Sequence, residues 1–356
     1  MWIISPIAGA GKRLQPFTFS KPKAFIKIAG KRIIEHIMER LMRNFPVGTN
    51  ILFIVGHKKK QISQFLVENY SHHFNVHFIE QKPIGYSGEL PVFAGLGQAI
   101  YLARKLVRDE SIFVVLADQV PITDYSQILT KFNTAAPEVG GVINVQKVKM
   151  PEYYGIVRVG EKNNIKCLVE KPPNFVSDLA ILGAYVFNAK TTAKIFEKLA
   201  DMTRVPLQNG KEYRFTDAIH KVVQEGTLIE ANLSSDEILD FDHLETLLEG
   251  NRRLLEISPA NSGEASAQVE ESIIIPPVYI GKNVSIKRSK VGPYCSIGDD
   301  VTLEECVFAD TVIGDGAELR RVISQESVIG DNVVLDNLLK DNIMIGDDSS
   351  ISELNI

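Results

Sequence analysis

An α/β domain followed by a parallel β-helix is the fold this sequence predicts, and three observations carry the prediction. Short apolar runs alternate with amphipathic stretches over the first two-thirds of the 356 residues. A small, polar stretch then interrupts the pattern, and beyond it an Ile-Gly pair recurs every 16 residues. Alternation of the first kind implies a mostly parallel sheet with helices on both faces, a Rossmann-like arrangement. A fixed short period implies stacked coils.

Trp2 to Ile7 is a short buried-strand run that ends in glycines. Arg32 to Met42 places Ile33, Ile34, Ile37, Met38 and Leu41 on one helical face. Ile51 to Val55 reads as a second buried strand, and Gln61 to Tyr70 as an amphipathic helix. Val76 to Ile79 is strand-like, Leu96 to Val107 helix-like, and Ile112 to Leu116 a continuous β-branched and aromatic run. In such sheets ligands sit beyond the carboxyl ends of the strands. The loop Gly9 to Leu14 and Asp118 both stand at such ends.

Ser258 to Gln268 is small and polar, so residues 252–270 are expected to link a domain over 1–251 to one over 271–356. Ile297-Gly298, Ile313-Gly314, Ile329-Gly330 and Ile345-Gly346 mark the repeat, and Ile280-Gly281 precedes them by 17 residues. Six residues after each isoleucine comes another aliphatic: Ile286, Leu303, Leu319, Leu335 and Ile351. Four further on stand Val307, Ile323 and Leu339. One inward aliphatic on each of three faces describes a triangular coil, and about five coils follow, each burying its apolar edge against its neighbours.

The net charge of −5 gives no preference for nucleic acid or an anionic membrane, and Lys58-Lys59-Lys60 reads as a solvated loop. Cys167, Cys295 and Cys306 have no metal spacing and leave one thiol over in any disulfide scheme. Free thiols in a reducing cytoplasm are expected. Met1 to Ala8 is too short for a signal peptide, and no apolar stretch approaches the roughly 20 residues that span a bilayer.

The loop after the first strand carries Gly9 and Gly11, which let backbone N–H groups approach a phosphate, and Arg13, which can neutralise a triphosphate. It lacks both the Gly-Lys-Ser/Thr ending of a Walker loop and the third glycine of a dinucleotide fingerprint. The longer stretch from Pro6 to Gly30 is more specific: Gly9 to Thr18, then Pro22-Lys23, Phe25-Ile26 and Gly30-Lys31. It resembles the signature of the sugar-1-phosphate nucleotidylyltransferases, of the glucose-1-phosphate thymidylyltransferase and uridylyltransferase type. The resemblance extends over about 250 residues. It implies an attached hexapeptide-repeat, left-handed β-helix.

That resemblance assigns Gly9, Gly11 and Arg13 to the triphosphate, and Lys23 to phosphate and the departing pyrophosphate. Gln81 and Gly95, the latter in Gly95-Leu-Gly-Gln-Ala99, look like its base-recognition pair, although Lys82 to Ala94 reads as an insertion. Asp118 stands where the family binds Mg²⁺, with Ala117 and Gln119 replacing its glycine and asparagine. Gly155, Glu170, Lys171 and Tyr185 match the sugar-phosphate pocket, Glu170 for sugar hydroxyls and Lys171 for the phosphate. Neighbouring strand residues point to opposite faces, so Glu170 and Lys171 can share one ligand only at a strand end. Aligning Leu247 to Asn251 brings Asp240 onto the second metal aspartate. The surrounding tryptophan, glycine and threonine are absent, and Asp242 is a substitute.

The resemblance implies that a sugar-1-phosphate attacks the α-phosphorus of a nucleoside triphosphate, with Arg13, Lys23 and Asp118 carrying catalysis. The Gln81 pattern points to dTTP or UTP with glucose-1-phosphate. Mannose-1-phosphate guanylyltransferase is the alternative, and a non-catalytic regulatory homologue a second. Hexapeptide helices also carry acyltransferases with a histidine base, but the last histidine here is His243, before the repeat. The repeat is therefore expected to stack and to support a homo-oligomer, with neither nucleic acid nor membrane as partner.

Overall fold

The computed structural model describes residues 1–208, 211–257 and 266–352. The chain forms two compact units, one of Met1–Ala10 with Ile37–Ile238, the other of Gly11–His36 with Leu239–Ile356. Each unit is built on its own sheet.

The first unit holds a nine-stranded sheet. In chain order its strands are β1 (Trp2–Ile7), β2 (Thr49–Val55), β3 (Phe74–Glu80), β4 (Ile112–Val115), β5 (Val139–Lys147), β6 (Gly155–Val159), β7 (Ile165–Glu170), β8 (Leu179–Phe187) and β9 (Leu228–Leu233). The spatial order β3-β2-β1-β4 is parallel throughout, with Ile3 between Ile51 and Phe113. Ile3, Ile4, Leu52, Phe53, Phe113 and Val114 are fully buried, which explains why these strands read as continuous apolar runs. Each such side chain contributes roughly 1.5–3 kcal/mol through burial, so a charge at Val114 would break the sheet's centre. Beyond β4 the sheet turns mixed: β8 runs antiparallel to β4, β5 and β6, while β5 pairs parallel with β9.

Helices cover the sheet. α1 (Ile33–Asn44) buries all five of its predicted aliphatics. α2 (Lys59–Tyr70) follows β2. α3 (Leu96–Leu102) is shorter than expected, because the chain tightens into a 3-10 turn over Ala103–Lys105. There the amides of Leu106 and Val107 both bond Ala103 O at 2.9 Å. α4 (Ser126–Thr134) leads into β5. α5 (Ala189–Arg204) starts where the Asn188 side chain accepts from the Thr191 amide at 2.9 Å. Ile195 and Leu199 of α5 share one core with Ala218, Ile219 and Val222 of α6 (Phe215–Gln224).

In the second unit α7 (Leu244–Ile257) continues past Asn251 into the stretch expected as a linker. Residues 258–265 of that stretch lie outside the described residues. The parallel β-helix follows, of the left-handed class that the resemblance implies. Ile280, Ile297, Ile313, Ile329 and Ile345 pair coil to coil and are buried, forming one inner column. Ile286, Leu303, Leu319 and Leu335 form a second, while Ile351 of the last described coil stays 41% exposed. Asn283, Asp300, Asn332 and Asp348 take positive φ at equivalent corners, as does Gly316, which short polar residues and glycine tolerate best.

The third face differs from expectation. Val307, Ile323 and Leu339 are 38%, 46% and 75% exposed, and point outward. The inward positions are their neighbours: Cys306 and Phe308 in one coil, Val322 and Ser324 in the next. The physical reason is the two-residue alternation of a strand, which moves a whole column outward when the assignment is off by one.

Candidate active site

Within the second unit, the segment Gly11–His36 is compressed around two positions. Gly11 has φ +64°, and a Cβ there would stand 2.8 Å from Thr18 Cγ2 and 3.0 Å from Lys23 Cβ. Only glycine lets these residues close in. The Thr18 hydroxyl donates to Gly11 O at 3.0 Å and fastens the loop. Ala29 and Gly30, at φ +45° and +82°, make the hairpin turn between Lys27–Ile28 and Lys31–Arg32.

Arg13 and Lys23 converge on one anion. Arg13 pairs with Asp242 Oδ2, and Lys23 Nζ donates to Asp242 Oδ1 at 2.8 Å. Burial works to raise the Asp242 carboxyl, but the charge and hydrogen bond of Lys23, then Arg13 and His243, outweigh it and hold it below the usual carboxylate range. Asp240 lies two residues away at the end of a short strand, Ile238–Asp240, and is half-buried.

In the first unit the expected base-recognition pair is in contact: Gln81 Nε2 donates to Gly95 O at 3.1 Å and to Gln98 Oε1 at 2.7 Å. Gln81 is buried. Gly95 opens α3 at φ +96°, and a Cβ there would meet Glu212 Cβ at 2.7 Å. The expected insertion after Gln81 forms a small hairpin, Gly85–Ser87 with Leu90–Val92, whose Tyr86 is exposed. Gly9 stands exposed with open space where a side chain would be.

Of the sugar-phosphate candidates, Gly155 and Glu170 stand at facing ends of β6 and β7, and Tyr185 lies within β8 opposite Val114. Gly155 pairs across from Glu170, and a Cβ on Gly155 would lie 2.9 Å from Glu170 Oε2. That oxygen accepts a 2.6 Å hydrogen bond from Thr216 Oγ1. β7 ends at Glu170, and Lys171 takes φ +47°, so the two residues stand at a strand end. The Tyr185 ring is buried edge-on to Phe215, 5.3 Å between centroids. Burial holds the Tyr185 phenol above its ordinary range, and the charges of Glu170 and Asp118 push it the same way. Those two carboxylates therefore share the Tyr185 environment.

Residues 7–256 match the nucleotidyl transferase family. The chain belongs to that family. The chain is 32% identical over 271 residues to the bifunctional protein GlmU of Methanocaldococcus jannaschii, an alignment covering 75% of this chain and 57% of that one. The chain thus spans little more than half of that relative's length. A glucose-1-phosphate thymidylyltransferase of Streptomyces griseus is 24% identical over 313 residues, covering 83% of this chain and 82% of its own. Among solved structures, UDP-glucose pyrophosphorylase complexed with UDP-glucose shares the fold at TM-score 0.61 and 22% identity, over 72% of this chain and 99% of that one.

Three residues with a part in this architecture went unrecognised in the sequence. Thr216 carried no motif. Gln119 replaces an expected asparagine, and it braces the site: its Oε1 accepts from the Gly183 amide at 2.6 Å, tying the Asp118 turn to the strand of Tyr185. Asn251 served only to align Asp240, yet it is fully buried, and its Oδ1 accepts from the Ala29 amide at 2.9 Å and from Ser296 Oγ at 2.6 Å. Among the described residues, no three His, Cys, Asp or Glu side chains gather into a metal cage, and no helix is long and apolar enough to cross a membrane.

Proposed function

We propose that this protein transfers a nucleotidyl group from dTTP or UTP to a sugar-1-phosphate, glucose-1-phosphate in first place, and releases pyrophosphate. The observation that carries the reading is the convergence of Arg13 and Lys23 on the Asp242 carboxylate. Two cations aimed at one anion form a clamp of the kind a triphosphate needs, and Asp242 stands in for a phosphate oxygen. In this reading Gly9 and Gly11 admit the phosphates, and Arg13 and Lys23 offset charge on the leaving pyrophosphate. Gln81 and Gly95 read the pyrimidine. Glu170, held by Thr216, accepts from sugar hydroxyls beside Gly155 and Tyr185, and Lys171 steadies the attacking phosphate. The sugar phosphate's own oxygen is the nucleophile, so positioning and charge neutralisation are what the protein supplies.

Asp118 and Asp240 are the residues that would hold Mg²⁺. Their carboxylates are the hard oxygen donors the ion prefers, and it would stabilise charge on the phosphates. The nucleotidylyltransferase domain is proposed over 1–251, the β-helix over 271–356. Three free thiols suit a reducing cytoplasm, and a homo-oligomer is proposed through the outward column of Val307, Ile323 and Leu339.

The test is pyrophosphate release with Mg²⁺, with dTTP, UTP, GTP, CTP and ATP each offered against glucose-, mannose- and N-acetylglucosamine-1-phosphate. Sugar-dependent release with dTTP or UTP is the expected result. Release only with GTP and mannose-1-phosphate would overturn the Gln81 reading, and silence from folded protein across the grid would overturn the transfer reaction.

A further inference from the structure

The β-helix carries a row of aspartates on four successive coils: Asp299, Asp315, Asp331 and Asp347, each directly after an Ile-Gly pair. They stand in a line because each ties its coil to the one before. Asp299 Oδ1 accepts from the Lys282 amide at 2.9 Å, Asp315 from Asp299 at 2.9 Å, Asp331 from Asp315 at 3.0 Å and Asp347 from Asp331 at 2.8 Å. The preceding glycines make this possible: a Cβ on Gly314 would lie 2.3 Å from Asp331 Oδ1. One oxygen of each carboxylate is thus spent on the stack, and the charge remains.

That charge is met by the phosphate-binding segment. Residues 11–34 contain seven Lys and Arg and no Asp or Glu. Lys27 Nζ lies 2.8 and 2.7 Å from the two Asp315 oxygens and 3.5 Å from Asp299. Lys21 pairs with Asp331 and lies 3.1 Å from Asp347, whose other oxygen takes the Ser20 hydroxyl. The Lys21–Asp347 contact is sheltered, at 18% and 6% exposed. Burial works to lower the Lys27 ammonium, and the hydrogen bond and charge of Asp315 with the charge of Asp299 more than offset it. Pro16 also rests on the last coil, where a Cβ on Gly346 would come within 3.0 Å of it. Every aspartate of the row therefore touches the segment that carries Arg13 and Lys23.

We propose that the β-helix takes part in nucleotide binding: its aspartate row is a rail that holds Lys21 and Lys27 and so fixes the place of Arg13 and Lys23. Lys21 and Lys27 are positioning residues, two and four residues from Lys23, and their charges are already neutralised. The rail leaves Arg13 and Lys23 as the cations that a nucleoside triphosphate takes over from Asp242. The inference rests on the transferase reading for its ligand, but its mechanical part can be measured without turnover.

The variants to make in the full chain are Asp315→Asn with Asp331→Asn, Lys21→Met and Lys21→Arg. Asparagine keeps the oxygen that accepts the inter-coil hydrogen bond and removes only the charge. Hydrogen–deuterium exchange should speed up at least tenfold over residues 11–32 in the double asparagine variant and in Lys21→Met. Protection of the coils over 278–345 should be unchanged. The KM for the triphosphate should rise at least tenfold in the same variants, the KM for the sugar phosphate should stay within twofold, and Lys21→Arg should restore both readouts. Unaltered exchange over 11–32 would overturn the rail. Faster exchange with unaltered triphosphate KM would overturn its role in nucleotide binding. A wild type without turnover, in which the variants still loosen the segment, would overturn the transferase reading and uphold the rail's mechanical part.

Discussion

Lys23 Nζ donates to Asp242 Oδ1 at 2.8 Å while Arg13 holds the other oxygen, so one carboxylate occupies both cations expected to bind triphosphate. A group so engaged competes with the substrate. Asp242→Asn should lower the KM for the triphosphate about fivefold, the scale of about 1 kcal/mol for one partly exposed ion pair. Its kcat should stay within a few-fold of wild type. Asp240→Ala and Asp118→Ala should instead remove most turnover, because they take away the oxygen donors proposed for Mg²⁺. Steady-state kinetics decides, and an Asp242→Asn variant as inactive as Asp118→Ala would move the metal role to Asp242.

The same pair sets a pH dependence. The folded Asp242 carboxyl lies below its unfolded value, which is about 4. Its stabilising contribution is therefore present above the unfolded value and is lost as pH falls through the folded one. The difference in Tm between wild type and Asp242→Asn should be constant at pH 6 and above, and should shrink steadily below about pH 4. Thermal melts across pH 3–8 check this, and a difference that grows in acid would contradict the pairing.

Under the proposed function, Thr216 is expected to act on the sugar side alone. Its hydroxyl orients Glu170 through a 2.6 Å hydrogen bond and is itself buried. Thr216→Val keeps the shape and deletes the donor, at a cost of about 1.5 kcal/mol for a bond to a charged acceptor. The KM for the sugar phosphate should rise about tenfold, with the triphosphate KM unchanged. Equal changes in both constants would show that Thr216 supports the fold generally rather than Glu170.

The thiols differ in environment. Burial pushes Cys295 up to about 12 and Cys306 up to about 11, whereas Cys167 is half-buried on β7. A thiol so raised carries almost no thiolate at pH 8 and does not attack an alkylating agent. Iodoacetamide on native protein should leave Cys295 and Cys306 unmodified by peptide mass, and should reach both after denaturation.

The parallel strands were legible because burial on both faces writes itself as an unbroken apolar run, as in Ile112 to Val115. The Ile-Gly period was legible because each coil repeats one packing problem. The tight turn at Gly11 was legible because it lies in a motif with fixed neighbours. Thr216 and Asn251 were not, since each acts on a residue far away in the chain and no local pattern marks it. The partners of Lys21 and Lys27 were hidden for the same reason: Lys21 meets Asp331 across 310 residues. The outward column was misread because an apolar residue recurring every 16 positions looks the same from either side of a strand.

That column gives the last prediction. Val307, Ile323 and Leu339 lie opposite one another in register on adjacent coils, which places them about 4.8 Å apart along one line. Their exposure rises from 38% to 75% along it. An ordered apolar stripe is costly to leave in water, and a second copy offers the same stripe for a two-fold contact. Ile323→Glu and Leu339→Glu should each place like charges in that contact while leaving the inner columns untouched. Light scattering should give a multiple of 39.6 kDa for wild type and a single chain for either variant. A wild type that already runs at one chain mass would remove self-association from the proposed function, and variants that remain associated would move the interface to another face.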